Sequence, residues 1–234
     1  MTSRRGDGET GRRGEKTESR LPVSPSPSLP VSAVLLAAGR SRRMGAFKPL
    51  LPFGERTVVE TCVDNLRAAG VGEVVVVVGH RAEELRERLS PSSFVRFAVN
   101  EDESSEMGAS IARGVERIAD GAGAVLIALV DQPAVPPEVI RSLIEARERT
   151  GARVVQPEWE GRGGHPVLID LALRGELASL DPSRGLRALF DAHRAEVLRV
   201  PATTPFVTRD MDTWEDYCKL HAEVFGFAPR GAVE

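Results

Sequence analysis

The sequence predicts an α/β fold: a single doubly wound, Rossmann-like, mostly parallel sheet with helices on both faces. Three observations carry that prediction. The runs VSAVLLAA (31–38), EVVVVVG (73–79) and AVLIALVD (124–131) are strand-sized and apolar throughout, without the alternation of a sheet that has one wet face. Amphipathic helical stretches separate them, which is the rhythm of βαβ units. The 234 residues, 41% hydrophobic and 28% charged, suit one domain with an ordinary globular balance.

The elements follow in order. The first strand, from Val31, opens onto a loop of glycine and cationic side chains. Thr57 and Glu60 then have the spacing of a capping box, and Val58, Val59, Cys62, Val63 and Leu66 recur at helical period until Gly70. The second strand is 73–79 and a short charged helix covers 81–89. FVRFAVN (94–100) reads as the third strand, GASIARGVERIAD (108–120) as a helix and 124–131 as the fourth strand. PPEVIRSLIEARERTG (136–151) is a helix whose prolines stand where its first turn begins. ARVVQP, HPVLID and EVLRVP complete the strands, with helices near 184–193 and 213–225. No repeat and no second domain interrupt the pattern, so the domain is set at residues 31–228.

Residues 1–30 differ in kind. The first twenty carry six basic and four acidic side chains, and LPVSPSPSLP follows. Such a segment buries too little apolar surface to offset its ordering entropy and is expected to be a disordered leader. It lacks the apolar centre of a secretory signal, and Asp7, Glu9, Glu15 and Glu18 do not fit an acid-poor transit peptide. The net charge of −3 supplies no basic field for nucleic acid. No apolar run approaches the roughly 20 residues of a membrane span. Cys62 and Cys218 have no CxxC partner and read as buried thiols rather than a disulfide. A cytoplasmic protein is expected.

Ligands of doubly wound sheets sit beyond the carboxyl ends of the strands, so the residues there carry the functional reading. The first strand ends in AAGRSRRMGAFK, with Arg40, Arg42, Arg43 and Lys48 and two glycines, Gly39 and Gly45. It is not a Walker loop, because Pro49 follows Lys48, and the glycine spacing is not that of a dinucleotide fingerprint. Its chemistry still suits a polyphosphate: glycines let backbone N–H groups approach oxygens, and fixed cations offset the charge. Arg43 suits two oxygens at once, Lys48 a single point charge.

The fourth strand ends in LVDQP. Asp131 there suits a hard cation such as Mg²⁺, or else a turn before Pro133. The third strand leads into NEDESSEMGAS, where Asn100, Ser105, Gly108 and Ser110 are ribose or base contacts, or else an acidic loop with a helix cap. His165 in GRGGHPVLI is a further candidate, structural or catalytic. Asp210 and Asp212 in RDMDTWEDY are helix-capping residues or a second metal ligand. Trp159 and Trp214 read as packing residues.

Together LAAGRSRRMGAFK, LVDQP, GGHPVLI and DMDTWEDY resemble the MobA-like NTP transferase family, in particular its molybdenum cofactor cytidylyltransferase branch, over roughly residues 31–220. The resemblance implies transfer of a nucleoside monophosphate, CMP from CTP, to molybdopterin with release of pyrophosphate. It implies catalytic roles for Arg43, Lys48 and Asp131, and Mg²⁺ on Asp131 and Asp212. It implies nucleotide binding by Leu36, Ala37, Ala38, Gly39, Arg43, Lys48, Asn100 and Ser110. Guanylyl-using relatives have LAGG where this chain has LAAG, which favours cytidine. A molybdenum hydroxylase or its chaperone is the implied recipient, with no nucleic acid and no membrane partner. EMGAS departs from the family's GMxxS-like segment. Two other readings stand beside this one: a nucleotidyltransferase acting on another phosphorylated small molecule such as a sugar phosphate, and a non-catalytic chaperone that binds the molybdenum cofactor.

Overall fold

The structure, a computed structural model, describes residues 29–39, 43–90, 94–102 and 106–229. Arg40, Arg42, Ser105 and the leader as far as residue 28 lie outside the described residues.

The chain enters β1 (Val31–Leu36), passes a single 3₁₀ turn at Lys48–Leu50, and makes a small hairpin of β2 (Pro52–Phe53) and β3 (Arg56–Thr57). Next come α1 (Val58–Ala68), β4 (Glu73–Val78), α2 (Ala82–Leu89) and β5 (Val95–Val99). They are followed by α3 (Met107–Glu116), β6 (Ala124–Leu129), α4 (Pro137–Thr150) and β7 (Val154–Trp159). The last third holds β8 (Arg162–Gly163), β9 (Val167–Asp170), α5 (Arg174–Ala178), α6 (Leu186–Ala192), β10 (Val197–Pro201) and α7 (Trp214–Phe225).

The capping box forms as its spacing requires. The Thr57 backbone N–H donates to Glu60 Oε2 at 2.8 Å, and the Glu60 N–H returns to the Thr57 hydroxyl at 3.4 Å. The helix expected over 108–120 ends earlier, at Glu116. The Arg174 guanidinium reaches in to bond the carbonyls of Val115 at 2.9 Å and Ile118 at 3.3 Å. Side-chain donors thus occupy carbonyls near the helix end.

The main sheet runs β10-β7-β9-β6-β1-β4-β5, with β8 paired to β7. β1 pairs in parallel with both β4 and β6, and β4–β5 and β7–β10 are parallel too. β9 alone in that path runs against its neighbours. The link from β7 to β9 carries no crossover helix, and without one the chain returns antiparallel.

Neighbouring β4 residues serve opposite faces. Val74, Val76 and Val78 join Leu35 under Leu66 of α1, Leu85 of α2, Leu143 of α4 and Tyr217 of α7. Val75 and Val77 join Val34 under Ile111 and Val115 of α3, Leu177 of α5 and Leu189 of α6. Burial on both faces explains why the strand is valine at every position from 74 to 78, each fully buried side chain contributing about 1.5–3 kcal/mol. Cys62 is buried and Cys218 half-buried, both as free thiols. No described helix is long and apolar enough to cross a membrane. Trp159 packs half-buried against the larger core, as expected, whereas Trp214 keeps 37% of its surface exposed.

The chain lays β1, β4 and β5 outward in one direction and then returns to set β6 on the other flank of β1. Strand order therefore reverses between β1 and β6, and a crevice opens beyond their carboxyl ends.

Candidate functional site

That crevice gathers the cationic loop and the late aspartates. The Ala37 N–H bonds to Val77 O at 2.9 Å, and the Val130 N–H to Leu36 O at 3.2 Å, so sheet pairing continues just past β1 on both sides. Ala38 is half-buried and Gly39 is exposed, with open space where a Cβ would stand. Gly45, at φ 68°, turns the chain back toward Lys48.

Lys48 is 7% exposed, an unusual burial for an ammonium. It lies among carboxylates: Nζ stands 2.9 Å from Asp212 Oδ1 and 3.6 Å from Asp131 Oδ2. Arg43 reaches the other oxygen of Asp212 at 2.8 Å, from a side chain that is 74% exposed. Asp212 thus links a buried cation to a solvent-facing one. The Met211 N–H donates to the Asp131 carbonyl at 3.0 Å, which fastens the 210–212 segment to the end of β6.

Burial pushes the Asp131 carboxyl up to about 6; nearby Asp210 and Asp212 add to the shift and Lys48 opposes it. Its Oδ1 is buried and has no hydrogen-bond partner. An orphaned carboxylate oxygen beside a second carboxylate suits a hard cation. Among the described residues no three His, Cys, Asp or Glu side chains form a ready metal cage.

The other predicted residues fall into different settings. Asn100 and Ser110 are buried, and the Asn100 amide donates to the Ser110 hydroxyl at 2.8 Å, which braces the passage from β5 into α3. A Cβ on Gly108 would lie 3.1 Å from Asp181 O, so the 181–185 loop packs tightly on the start of α3. The His165 N–H bonds to Val207 O at 2.8 Å. Burial holds its imidazole below the usual histidine range, with Asp210 pulling the other way. A Cβ on the preceding Gly164 would fall 2.1 Å from Val207 O, so close backbone packing accounts for that glycine.

Gln132 was passed over in the sequence. It is 6% exposed and its amide donates to Asp210 Oδ1 at 2.8 Å, holding that carboxylate beside Asp131. Its signal was a neutral amide directly after a strand-terminal acid.

Comparison with known proteins bears on the fold. Residues 33–197 match the MobA-like NTP transferase domain. The chain belongs to that family. Over 197 residues it is 32% identical to the nicotine blue oxidoreductase of Paenarthrobacter nicotinovorans, covering 81% of this chain and 96% of that one. Rv0371c from Mycobacterium tuberculosis H37Rv superimposes with a TM-score of 0.71 at 29% identity, over 83% of this chain and 98% of that one. The same protein in complex with manganese superimposes at 0.68 and 28% identity, over 82% and 98% of the two chains. A nucleotidyl transferase from Methanothermobacter gives 0.69 at 28% identity, over 82% and 96%. This MobA-like chain therefore has the fold of a nucleotidyltransferase, and its basic loop and acidic strand end lie at the strand-order reversal where such a sheet binds ligands.

Proposed function

We propose that this protein transfers CMP from CTP to the phosphate of molybdopterin. An acceptor phosphate oxygen attacks the α-phosphorus and forms the new P–O bond. The bond from the α-phosphorus to the bridging oxygen breaks, and pyrophosphate leaves with that electron pair. The observation that carries the reading is the cluster of Lys48, Asp131 and Asp212, with one Asp131 oxygen left unpartnered.

In this reading Arg43 and Lys48 offset charge on the triphosphate, and backbone from Leu36 to Gly39 lies along it. Asn100 and Ser110 shape the wall that faces ribose and base. Asp131 and Asp212 would hold Mg²⁺, which would supply charge neutralisation at the α-phosphate. Such catalysis depends on alignment and electrostatics rather than covalent participation. The motif resemblance supports molybdopterin as acceptor, and the Ala38 methyl supports CTP over GTP. A methyl-sized difference in a pocket is worth roughly 10–200-fold.

Pyrophosphate release from each of the four NTPs, with Mg²⁺ and with molybdopterin or a sugar 1-phosphate, tests the proposal. CTP with molybdopterin should be the fastest pair, and Ala38→Gly should narrow the CTP/GTP ratio. Release only with a sugar phosphate would move the acceptor assignment, and no release with any pair would refute it. The likeness to nicotine blue oxidoreductase supports a second reading, an oxidoreductase acting on nicotine blue. Turnover of that compound, with no pyrophosphate release from any NTP, would favour it.

A further inference from the structure

Both oxygens of Asp212 already face cations. Its Oδ1 accepts from the Lys48 ammonium at 2.9 Å, and its Oδ2 pairs with Arg43 at 2.8 Å. The same ammonium stands 3.6 Å from Asp131 Oδ2. A fixed cation thus lies against both acids that the proposed reading gives to the metal. A divalent ion on those two carboxylates would come close to that ammonium, and like charges at short range in a half-buried setting repel strongly. The acids are anchored. The Met211 N–H ties their segment to the Asp131 carbonyl at 3.0 Å, the Met211 side chain is fully buried, and the Gln132 amide holds the adjoining Asp210 at 2.8 Å. The cations have more freedom: Arg43 reaches Asp212 from an exposed side chain, and Lys48 carries its charge on a flexible four-carbon stem.

We infer that Lys48 is an internal competitor for the metal. In the nucleotide-free protein its ammonium takes the place of a divalent cation on Asp131 and Asp212, and it leaves that place when a triphosphate draws it off. The inference rests on the nucleotidyl-transfer reading and adds an order to it. Phosphate oxygens offer Lys48 and Arg43 other partners, which frees Asp212 for the metal. Metal and nucleotide then bind with positive coupling, each strengthening the other by the same factor.

Mn²⁺ titration of the nucleotide-free full chain, read from the paramagnetic resonance of free Mn²⁺, tests this. Lys48→Met keeps the length and removes the charge, and it should bind Mn²⁺ about tenfold more tightly than wild type. Arg43→Gln should also bind more tightly, by a smaller factor. Adding Asp131→Asn to Lys48→Met should abolish the gain. Arg209→Gln removes a nearby cation that pairs with Glu223 instead, and it should change little. If Lys48→Met does not fold, Arg43→Gln decides the matter, because its parent side chain is exposed. Unchanged or weaker Mn²⁺ binding in these two variants overturns the inference. An equal gain in Arg209→Gln also overturns it, since net charge rather than occupation would then be at work. Calorimetric titration with a non-hydrolysable CTP analogue, in EDTA and then with Mn²⁺, measures the coupling, which Lys48→Met should reduce about tenfold. An undiminished coupling refutes the exchange. None of these titrations reads pyrophosphate release, so a wild type that turns over no NTP yet shows these affinities defeats the transfer reading and leaves the competition by Lys48 standing.

Discussion

Two carboxylates stand at opposite edges of the same sheet. At the amino edge, Glu73 opens β4 and is 8% exposed. Its Oε1 accepts the Ser32 hydroxyl at 2.9 Å and the Ala119 N–H at 2.7 Å, and its Oε2 meets Arg96 at 3.3 Å. At the carboxyl edge, Asp131 follows β6 with one oxygen 3.6 Å from the Lys48 ammonium and the other without a partner. Both acids sit at strand ends beside apolar packing, yet one is saturated with donors and the other is not. A buried polar atom left unpaired is destabilising by about 1–3 kcal/mol, so it persists where something beyond folding requires it. The contrast separates an acid that the fold saturates with donors from one with an oxygen that the fold leaves unpaired.

The largest effect should come from Asp131→Asn. The amide keeps the shape but removes the charge that would hold the proposed cation. Metal-ion charge stabilisation is worth several kcal/mol, so turnover should fall about 10²–10⁴-fold. The melting temperature should stay within a few degrees of wild type. Pyrophosphate release near the wild-type rate would remove the distinction between the two acids.

Glu73→Ala should show the reverse pattern. It orphans the buried Ser32 hydroxyl, worth about 1–3 kcal/mol, and leaves the Ala119 N–H to solvent, so melting should drop by roughly 2–12 °C. Assayed below the new melting point, kcat should match wild type. A kcat loss as large as that of Asp131→Asn would give the amino edge a part in the chemistry.

A smaller effect tests the desolvation of Asp131 in metal-free protein. Its folded carboxyl is raised from 3.8 to about 6, so the folded state binds the proton more tightly than the unfolded one. The stability this proton confers is present below about pH 4 and is lost as pH rises to about 6. Melting curves of wild type and Asp131→Asn across pH 4–7 should therefore diverge, with wild type losing a few degrees relative to the variant. Parallel curves would mean that the carboxylate is well solvated.

Arg96→Ala should have the least effect, under about 2 °C. The Arg96 side chain is 43% exposed, and exposed ion pairs are worth about 0–1 kcal/mol. A drop as large as that of Glu73→Ala would show that the guanidinium, not the Ser32 hydroxyl and the Ala119 N–H, holds Glu73.

The sequence by itself determined what local physics encodes. Valine at every position of 74–78 requires burial on both faces. The Thr57–Glu60 spacing caps a helix before any tertiary contact exists. The four cations after a buried strand are what suggests a phosphate loop, and the rule for ligands of doubly wound sheets directs the search to the carboxyl edge. The tertiary structure decided the rest. Lys48 and Asp212 lie 164 residues apart, and nothing in either segment says that they share a 2.9 Å contact. That pairing exists because β6 returns to the flank of β1 and the Met211 N–H then bonds to the Asp131 carbonyl. Gly164 looked like part of a motif around His165 and is accounted for by close packing on Val207. The early end of α3 depends on Arg174, far along the chain. Residue type and spacing act over one or two turns of chain, whereas a shared ion, an orphaned oxygen or a glycine-only gap depends on which segments the sheet order brings together.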